Sequence, residues 1–232
     1  MNRLSPGRVA ILLLFALGVA PSVGAEQSRR VTDLVAALSA DEPAARAQAA
    51  CDLKREGDAA AQAIEPLLRL LGDGSPVERS VCRERWWRNG EPLTTPGEEA
   101  AAALVSIGSR TFEALLKALK QPQWIARRNA AWALGALDDA RAVKPLISAL
   151  SDPEPDVRAQ AAWALGALND PAALEKLTAT VKDADPRVRR QAAWALGVIG
   201  DSRATPVLIV ALRDADAGVR RQAAWALGNI GK

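Results

Sequence analysis

Residues 188–200 read VRRQAAWALGVIG. Seven of these letters, QAAWALG, stand at 160–166, 191–197 and 222–228, and NAAWALG stands at 129–135. The four copies are spaced 31 residues apart. Self-similarity at a period of roughly 20–50 residues is the signature of a solenoid, in which each unit buries its apolar face against the next unit. The chain is therefore predicted to be an array of stacked units.

Each unit is predicted to contain two helices. The stretch 188–200 is rich in Ala and Leu, which favour helix, and the preceding DADP supplies a cap and a first-turn proline. A second helix is predicted over 202–214, with its proline early enough to be tolerated. An irregular insertion, about 74–98, interrupts the second unit. The helix pairs are expected at about 31–56, 62–107, 111–137, 141–168, 171–199 and 202–230.

The sequences VRRQAAWALGVIGD (188–201) and ATPVLIVALRDAD (204–216) resemble the HEAT-repeat family, in particular the short repeats of the phycobiliprotein (bilin) lyase type. The resemblance covers about residues 31–232. It implies an all-α, right-handed α-solenoid, in which the six helix pairs predicted above would be the stacked units. It says little about function, because such arrays mostly bind other proteins and a few are enzymes.

The repeated tryptophans lie off the predicted core. At 100° per residue, Trp163 falls roughly 150° from the centre of the apolar stripe of its helix, among polar residues. The resemblance implies that this side of the helix lines the concave surface of the array. We name it the tryptophan face, and its predicted partner-binding residues are Trp132, Trp163, Trp194, Trp225, Arg128, Arg190, Arg221, Gln160, Gln191 and Gln222. The alternative is that each indole packs across the gap to the neighbouring unit.

Three of these tryptophans follow an arginine by four residues, a spacing at which helical side chains meet, so a guanidinium could lie over an indole. A second arginine series, Arg158, Arg189 and Arg220, follows the loop aspartates Asp152, Asp183 and Asp214 by six residues each. Stacking the units would set these rows side by side, so this series is expected to form a structural ladder.

The two cysteines, Cys51 and Cys82, belong to neighbouring units. Strictly equivalent positions in stacked units would be about 10 Å apart, too far for a disulfide, but the inserted residues shift Cys82. We favour a disulfide, and two free thiols remain the alternative. Two further tryptophans in the insertion, Trp86 and Trp87, either cover the end of the tryptophan face or cap the local core.

The N-terminus has the pattern of a secretory leader. Two arginines precede a 12-residue apolar run at 9–20, and small residues precede Glu26. We expect a signal peptide at 1–25, cleavage near Ala25–Glu26, a HEAT-like domain at 26–232, and a secreted or periplasmic location. An uncleaved anchor is the alternative. Cleavage would lower the net charge from +3 to +1, so no attraction to nucleic acid is predicted.

The composition argues against catalysis. The chain has no histidine, which excludes a Ser/His/Asp triad and imidazole metal ligation. No catalytic residue, metal or cofactor is predicted. The predicted function is a non-catalytic scaffold for a protein or peptide partner in the cell envelope. The alternatives are a lyase-like or oxidoreductase-like enzyme or accessory protein, and a binder of glycan or polymer. End-to-end self-association of the chain through its last helix is a further alternative.

Overall fold

The computed structural model describes residues 23–82 and 93–230. Trp86, Trp87 and most of the predicted signal peptide lie outside these residues. Two short antiparallel strands, β1 (Val77–Glu78) and β2 (Leu93–Thr94), pair Val77 with Thr94. Apart from loops and short 3-10 turns, the other described elements are α-helices: α1 Val23–Ala37, α2 Pro43–Glu56, α3 Ile64–Leu70, α4 Pro96–Ile107, α5 Phe112–Ala118, α6 Trp124–Ala136, α7 Val143–Ala149, α8 Pro155–Leu168, α9 Leu174–Thr180, α10 Pro186–Ile199, α11 Thr205–Ala211 and α12 Ala217–Asn229.

The helices form six successive pairs, each an odd-numbered helix followed by an even-numbered one. Every even helix packs on its own odd partner and on the even helices of the adjacent units, from α2 through α12. The prediction of an α-solenoid of about six stacked helix pairs is confirmed. The first pair is longer than predicted, because α1 begins at Val23 rather than near residue 31. The expected cleavage position therefore falls in the first turn of α1.

Close packing of the even helices depends on their small residues. A Cβ added to Gly135 would lie 2.6 Å from Cβ of Ala164, and one added to Gly197 would lie 2.6 Å from Cα of Ala226. Neither position can hold a larger residue unless the units separate. Leucines complete the core between the layers, and Leu134, Leu165 and Leu196 are fully buried.

The unit boundaries follow the predicted capping chemistry. Asp185 caps α10 by accepting a hydrogen bond from the Arg187 amide, and proline follows at the first helical position. Gly200 ends α10 with φ +70°, a left-handed conformation that favours glycine. None of the described helices is both long and apolar enough to cross a membrane.

The cysteines are joined by a disulfide, as predicted. The Cα atoms of Cys51 in α2 and Cys82 are 5.7 Å apart, and both side chains are buried. The 10 Å spacing of equivalent positions does not apply, because Cys82 belongs to a 3-10 turn, Arg79–Cys82, that follows β1 outside the regular helix pair. The disulfide therefore anchors the irregular segment to the first unit.

Candidate partner-binding face

Four consecutive even helices carry the tryptophan face. Trp132, Trp163, Trp194 and Trp225 lie on α6, α8, α10 and α12, at the same position in each unit. The first three indoles are half-buried and pack against the edge of the core, whereas Trp225 is 44% exposed. The row thus runs through the last four units and is most exposed in the last one.

Each of the last two indoles also packs on the preceding unit. A Cβ added to Gly166 would lie 2.6 Å from Cζ3 of Trp194, and one added to Gly197 would lie 2.8 Å from Cζ3 of Trp225. The rings of Trp163 and Trp194 are nearly parallel, at 8°, with centroids 6.4 Å apart, an offset stack. Part of each of these indoles therefore packs between units, as the alternative interpretation predicts, and the rest of each ring surface is exposed.

The arginines of the tryptophan face have different surroundings. Arg128 donates a hydrogen bond to Glu98 at 2.9 Å and lies over the ring of Trp124, 5.8 Å from its centroid. Trp124 precedes Arg128 by four residues, so the guanidinium contacts the indole that lies one helical turn before it in α6. Arg190 instead extends toward the next unit, since a Cβ added to Gly218 would lie 3.4 Å from its Cδ. Trp124 is 36% exposed, and the repeat pattern gave no signal for it, because it lies outside the repeated motif.

The amide positions are also unequal. Gln160, Gln191 and Gln222 are half-buried at the edge of the tryptophan face. In α6 the equivalent residue is Asn129, which is 3% exposed and donates a hydrogen bond to the Leu71 carbonyl at 2.9 Å. The first of the four positions is therefore structural, and the accessible amides belong to the last three units.

A ladder of arginines and aspartates runs along the loops. Arg158 donates two hydrogen bonds of 2.8 Å to the Asp183 carboxylate of the next unit, and its remaining nitrogen donates to the Asp152 and Pro153 carbonyls. The side chains of Arg158 and Asp183 are only 15% and 13% exposed. We name this set the Arg–Asp ladder, and its pairs are Arg46–Asp73, Arg127–Asp152, Arg158–Asp183 and Arg189–Asp214.

The Arg–Asp ladder confirms the structural role predicted for Arg158 and Arg189. Arg220 has the same orientation and donates to the Asp214 and Ala215 carbonyls, without an aspartate from a following unit among the described residues. The ladder is interrupted once, because α4 contains no arginine and Gln121 stands where an aspartate would accept.

Hydrogen bonds and ion pairing lower the pKa values of the ladder aspartates. Burial raises the pKa of Asp183, but the hydrogen bonds from Arg158 and from the Asp185 amide outweigh burial, so its pKa is below the ordinary value. Hydrogen bonds from Arg189 lower the pKa of Asp214. The carboxylates therefore stay ionised to lower pH than an ordinary aspartate, which suits a permanent structural role better than proton transfer.

One group in the described parts of the chain has the composition of a metal site. The Cys51 and Cys82 sulfurs and a Glu99 oxygen lie within 4.8 Å of one another. The two sulfurs are bonded to each other, so neither is a thiolate that could bind a metal. The Glu99 carboxylate also accepts a 2.7 Å hydrogen bond from Thr94, which fixes it beside β2.

A sequence profile of HEAT repeats matches residues 112–184 and 175–232, more than half of the chain. The chain belongs to the HEAT-repeat family. The matched residues include all four repeated tryptophans, so the row occupies one fixed position of successive HEAT repeats. No curated protein matches the sequence of this HEAT-repeat protein.

Solved structures share the fold. The CpcE–CpcF complex of phycocyanin lyase from Nostoc sp. PCC7120 aligns with a TM-score of 0.53 at 25% identity, over 86% of this HEAT-repeat protein and 76% of that chain. Yeast importin-β (Kap95p) aligns with a TM-score of 0.61 at 14% identity, over 85% and 30%. A designed armadillo repeat protein in complex with the peptide (KR)4 aligns with a TM-score of 0.50 at 19% identity, over 86% and 98%. The last two likenesses concern the fold alone.

Proposed function

We propose that this HEAT-repeat protein is a non-catalytic scaffold that binds a protein or peptide partner on the tryptophan face. The observation that carries the proposal is the continuous row of four partly exposed indoles, one per unit, bordered by arginine and glutamine side chains. Tryptophan and arginine are the residues that most often dominate binding energy at protein interfaces. Because the row crosses four units, it suits a partner that contacts several units at once.

The spacing of the two helix layers supports the same face. The even helices pack closely because the residues at their contacts are glycine and alanine. Neighbouring odd helices contact one another much less. A two-layer array curves toward its more closely spaced layer. The tryptophan face belongs to that layer, so in this proposal it lines the concave side, and a bound chain would be enclosed along its length.

The comparisons are consistent with a binding role. The designed armadillo protein, which shares the helical-repeat fold, is seen in complex with the peptide (KR)4. The phycocyanin lyase complex shows that related repeats also occur in a lyase. The chain has no histidine, the side chain that most often serves as a general acid or base. The proposal is therefore binding without turnover.

A location in the cell envelope or outside the cell completes the proposal. Disulfides persist in oxidising compartments, and Cys51–Cys82 is buried within the first units. The leader predicted at 1–25 leads to the same location. A direct check is the N-terminal sequence of the protein recovered from the periplasm or medium, which should begin at Glu26.

Photo-crosslinking tests the binding face without assuming the partner's chemistry. A benzophenone amino acid would replace Gln191 on the tryptophan face or, as the control, Lys182, which is exposed outside that face. The proteins would be irradiated in the envelope fraction of the cells that make them. We expect a crosslinked polypeptide from position 191 and none from position 182. Equal crosslinking at both positions, or crosslinking at 182 alone, would contradict the proposed face.

A further inference from the structure

Charge on the tryptophan face is unbalanced in its last two units. Among the described residues, α10 and α12 contain no acidic side chain. Two acids on the earlier helices α4 and α8 are already paired. Glu98 accepts a hydrogen bond from Arg128 at 2.9 Å, and Asp156 accepts one from Arg187 at 2.6 Å. These two carboxylates are thus neutralised within the protein.

Two arginines of the face have no such partner. Arg190 on α10 and Arg221 on α12 are exposed, lie 31 residues apart, and make no ion pair within the described chain. Asp216 of the neighbouring unit lies on the same side as Arg190. Its Oδ1 accepts a hydrogen bond from the Val219 amide at 2.9 Å, so this carboxylate caps α12. Two guanidinium groups at equivalent positions therefore remain available to a ligand.

We infer that the partner of the tryptophan face is an acidic peptide segment whose carboxylates are bound by Arg190 and Arg221. This inference rests on the proposed function and adds the chemistry of the partner. Guanidinium groups bind carboxylates through paired, charge-assisted hydrogen bonds. In both units a glutamine follows the arginine directly and a tryptophan follows four residues later. Each unit thus offers a carboxylate site, an amide for the peptide backbone and an apolar surface.

The repeat spacing sets the spacing of the carboxylates. Packed helices with small contact residues lie about 8–10 Å apart. A chain in the polyproline II conformation points every third side chain in the same direction and rises about 3.1 Å per residue, so three residues span about 9 Å. Two glutamates or aspartates separated by two residues would therefore reach Arg190 and Arg221 together.

The packing of the indoles favours a peptide over a sugar chain. Stacking on a sugar requires a free ring face, but Trp163 and Trp194 are stacked in parallel with one another. The six-membered ring of Trp194 also lies against Gly166. Edges of these rings can still contact aliphatic side chains of a peptide.

Fluorescence anisotropy with defined peptides tests the inference. The probe is a labelled peptide of three Pro-Pro-Glu triplets, which favours polyproline II and places a carboxylate at every third residue. Matched peptides carry glutamine or lysine in place of glutamate. We expect the acidic peptide to bind at least about 10-fold more tightly than the neutral one, from charge-assisted hydrogen bonds. Raising the salt concentration should weaken only the acidic complex.

Paired variants locate the site. Arg190→Gln/Arg221→Gln should weaken binding of the acidic peptide at least about 10-fold, since each lost charged hydrogen bond is worth roughly a factor of 10 or more. The control, Lys182→Gln/Arg213→Gln, removes the same charge outside the face and should bind as the parent does. Equal binding of acidic and neutral peptides, no binding of any peptide, or an unchanged affinity in the arginine variant would overturn the inference.

Competition separates a peptide partner from an anionic polysaccharide. Oligogalacturonate, which carries carboxylates on sugars, should compete at least about 10-fold less well per carboxylate than the unlabelled acidic peptide. Competition as strong as that of the peptide would overturn the inference in favour of a glycan. The crosslinking result at Gln191 is independent of these peptides. A crosslink at position 191, together with equal binding of acidic and neutral peptides, would support the tryptophan face as the binding site and refute the acidic partner.

Discussion

Two glycines at the same repeat position predict opposite effects of alanine. A Cβ on Gly166 in α8 would lie 2.6 Å from Cζ3 of Trp194 and 2.8 Å from Cα of Ala195. Contacts this short do not occur, so the neighbouring unit would have to shift. A Cβ on Gly228 in α12 would have no atom within 4 Å. Gly166→Ala should therefore destabilise the fold and Gly228→Ala should stabilise it.

The size of each effect follows from two opposing terms. Replacing a helical glycine by alanine stabilises by about 0.5–1 kcal/mol, because the unfolded chain loses freedom. Overpacking a close contact costs about 1–3 kcal/mol. Gly166→Ala should then lose about 0–2.5 kcal/mol and Gly228→Ala should gain up to about 1 kcal/mol. For a domain of this size, a difference of about 1–3 kcal/mol corresponds to roughly 2–12 °C in Tm.

Thermal and urea unfolding, followed by the helical circular dichroism signal, measure both variants under identical conditions. Crystals or limited proteolysis would show whether the shift in Gly166→Ala is confined to the contact between α8 and α10. If Gly166→Ala were as stabilising as Gly228→Ala, the indole of Trp194 could not be packed on Gly166. The double role assigned to the tryptophans would then be wrong.

Three further predictions concern the ladder and the disulfide. Asp183→Asn should destabilise the fold by about 2 kcal/mol in urea unfolding, because it removes the charged acceptor of a mostly buried Arg158. Asp201→Asn is the control and should have a much smaller effect, because its partner Arg203 is 71% exposed. The folded pKa of Asp183 is lowered, so the stability that its ionised form contributes is present above the unfolded pKa of about 3.9 and is lost as pH falls through the folded pKa. The Tm of the parent protein should therefore decrease below about pH 4. The Tm of Asp183→Asn should decrease less steeply over the same range. Cys51→Ala/Cys82→Ala should lose about 3–4 kcal/mol, from a closed loop with a separation of 31 residues, and two free thiols in non-reducing mass spectrometry would contradict the bond.

The repeat period made the fold predictable from sequence. Four copies of one motif fix the helix pairs, because a unit that cannot bury its apolar stripe alone must stack on the next one. The Arg–Asp ladder was predictable for the same reason, since Asp183 and Arg158 recur in every regular unit. The start of α1 was not, because residues 23–25 belong to the predicted signal peptide and the polar residues 26–30 carry no apolar period.

Contacts between units were less predictable than contacts within them. Helical periodicity placed Trp194 off the core stripe, but it does not specify the rotation between adjacent helices, and that rotation brings the indole onto Gly166. The same limit applies to Arg128, which follows the repeat pattern in sequence yet pairs with Glu98 of the irregular second unit. Such pairs depend on how one particular unit differs from its neighbours.

The double role of the tryptophans determines which substitutions can reveal function. Replacing Trp194 by alanine would remove packing on Gly166 together with any contact to a partner, so loss of binding would not be separable from loss of structure. Arg190 and Arg221 are exposed, and neither pairs with an acid in the described residues. Their substitution should leave Tm nearly unchanged, because surface charges without partners contribute little to stability. A change in binding at constant Tm in these variants is therefore direct evidence about recognition, which the tryptophan variants cannot provide.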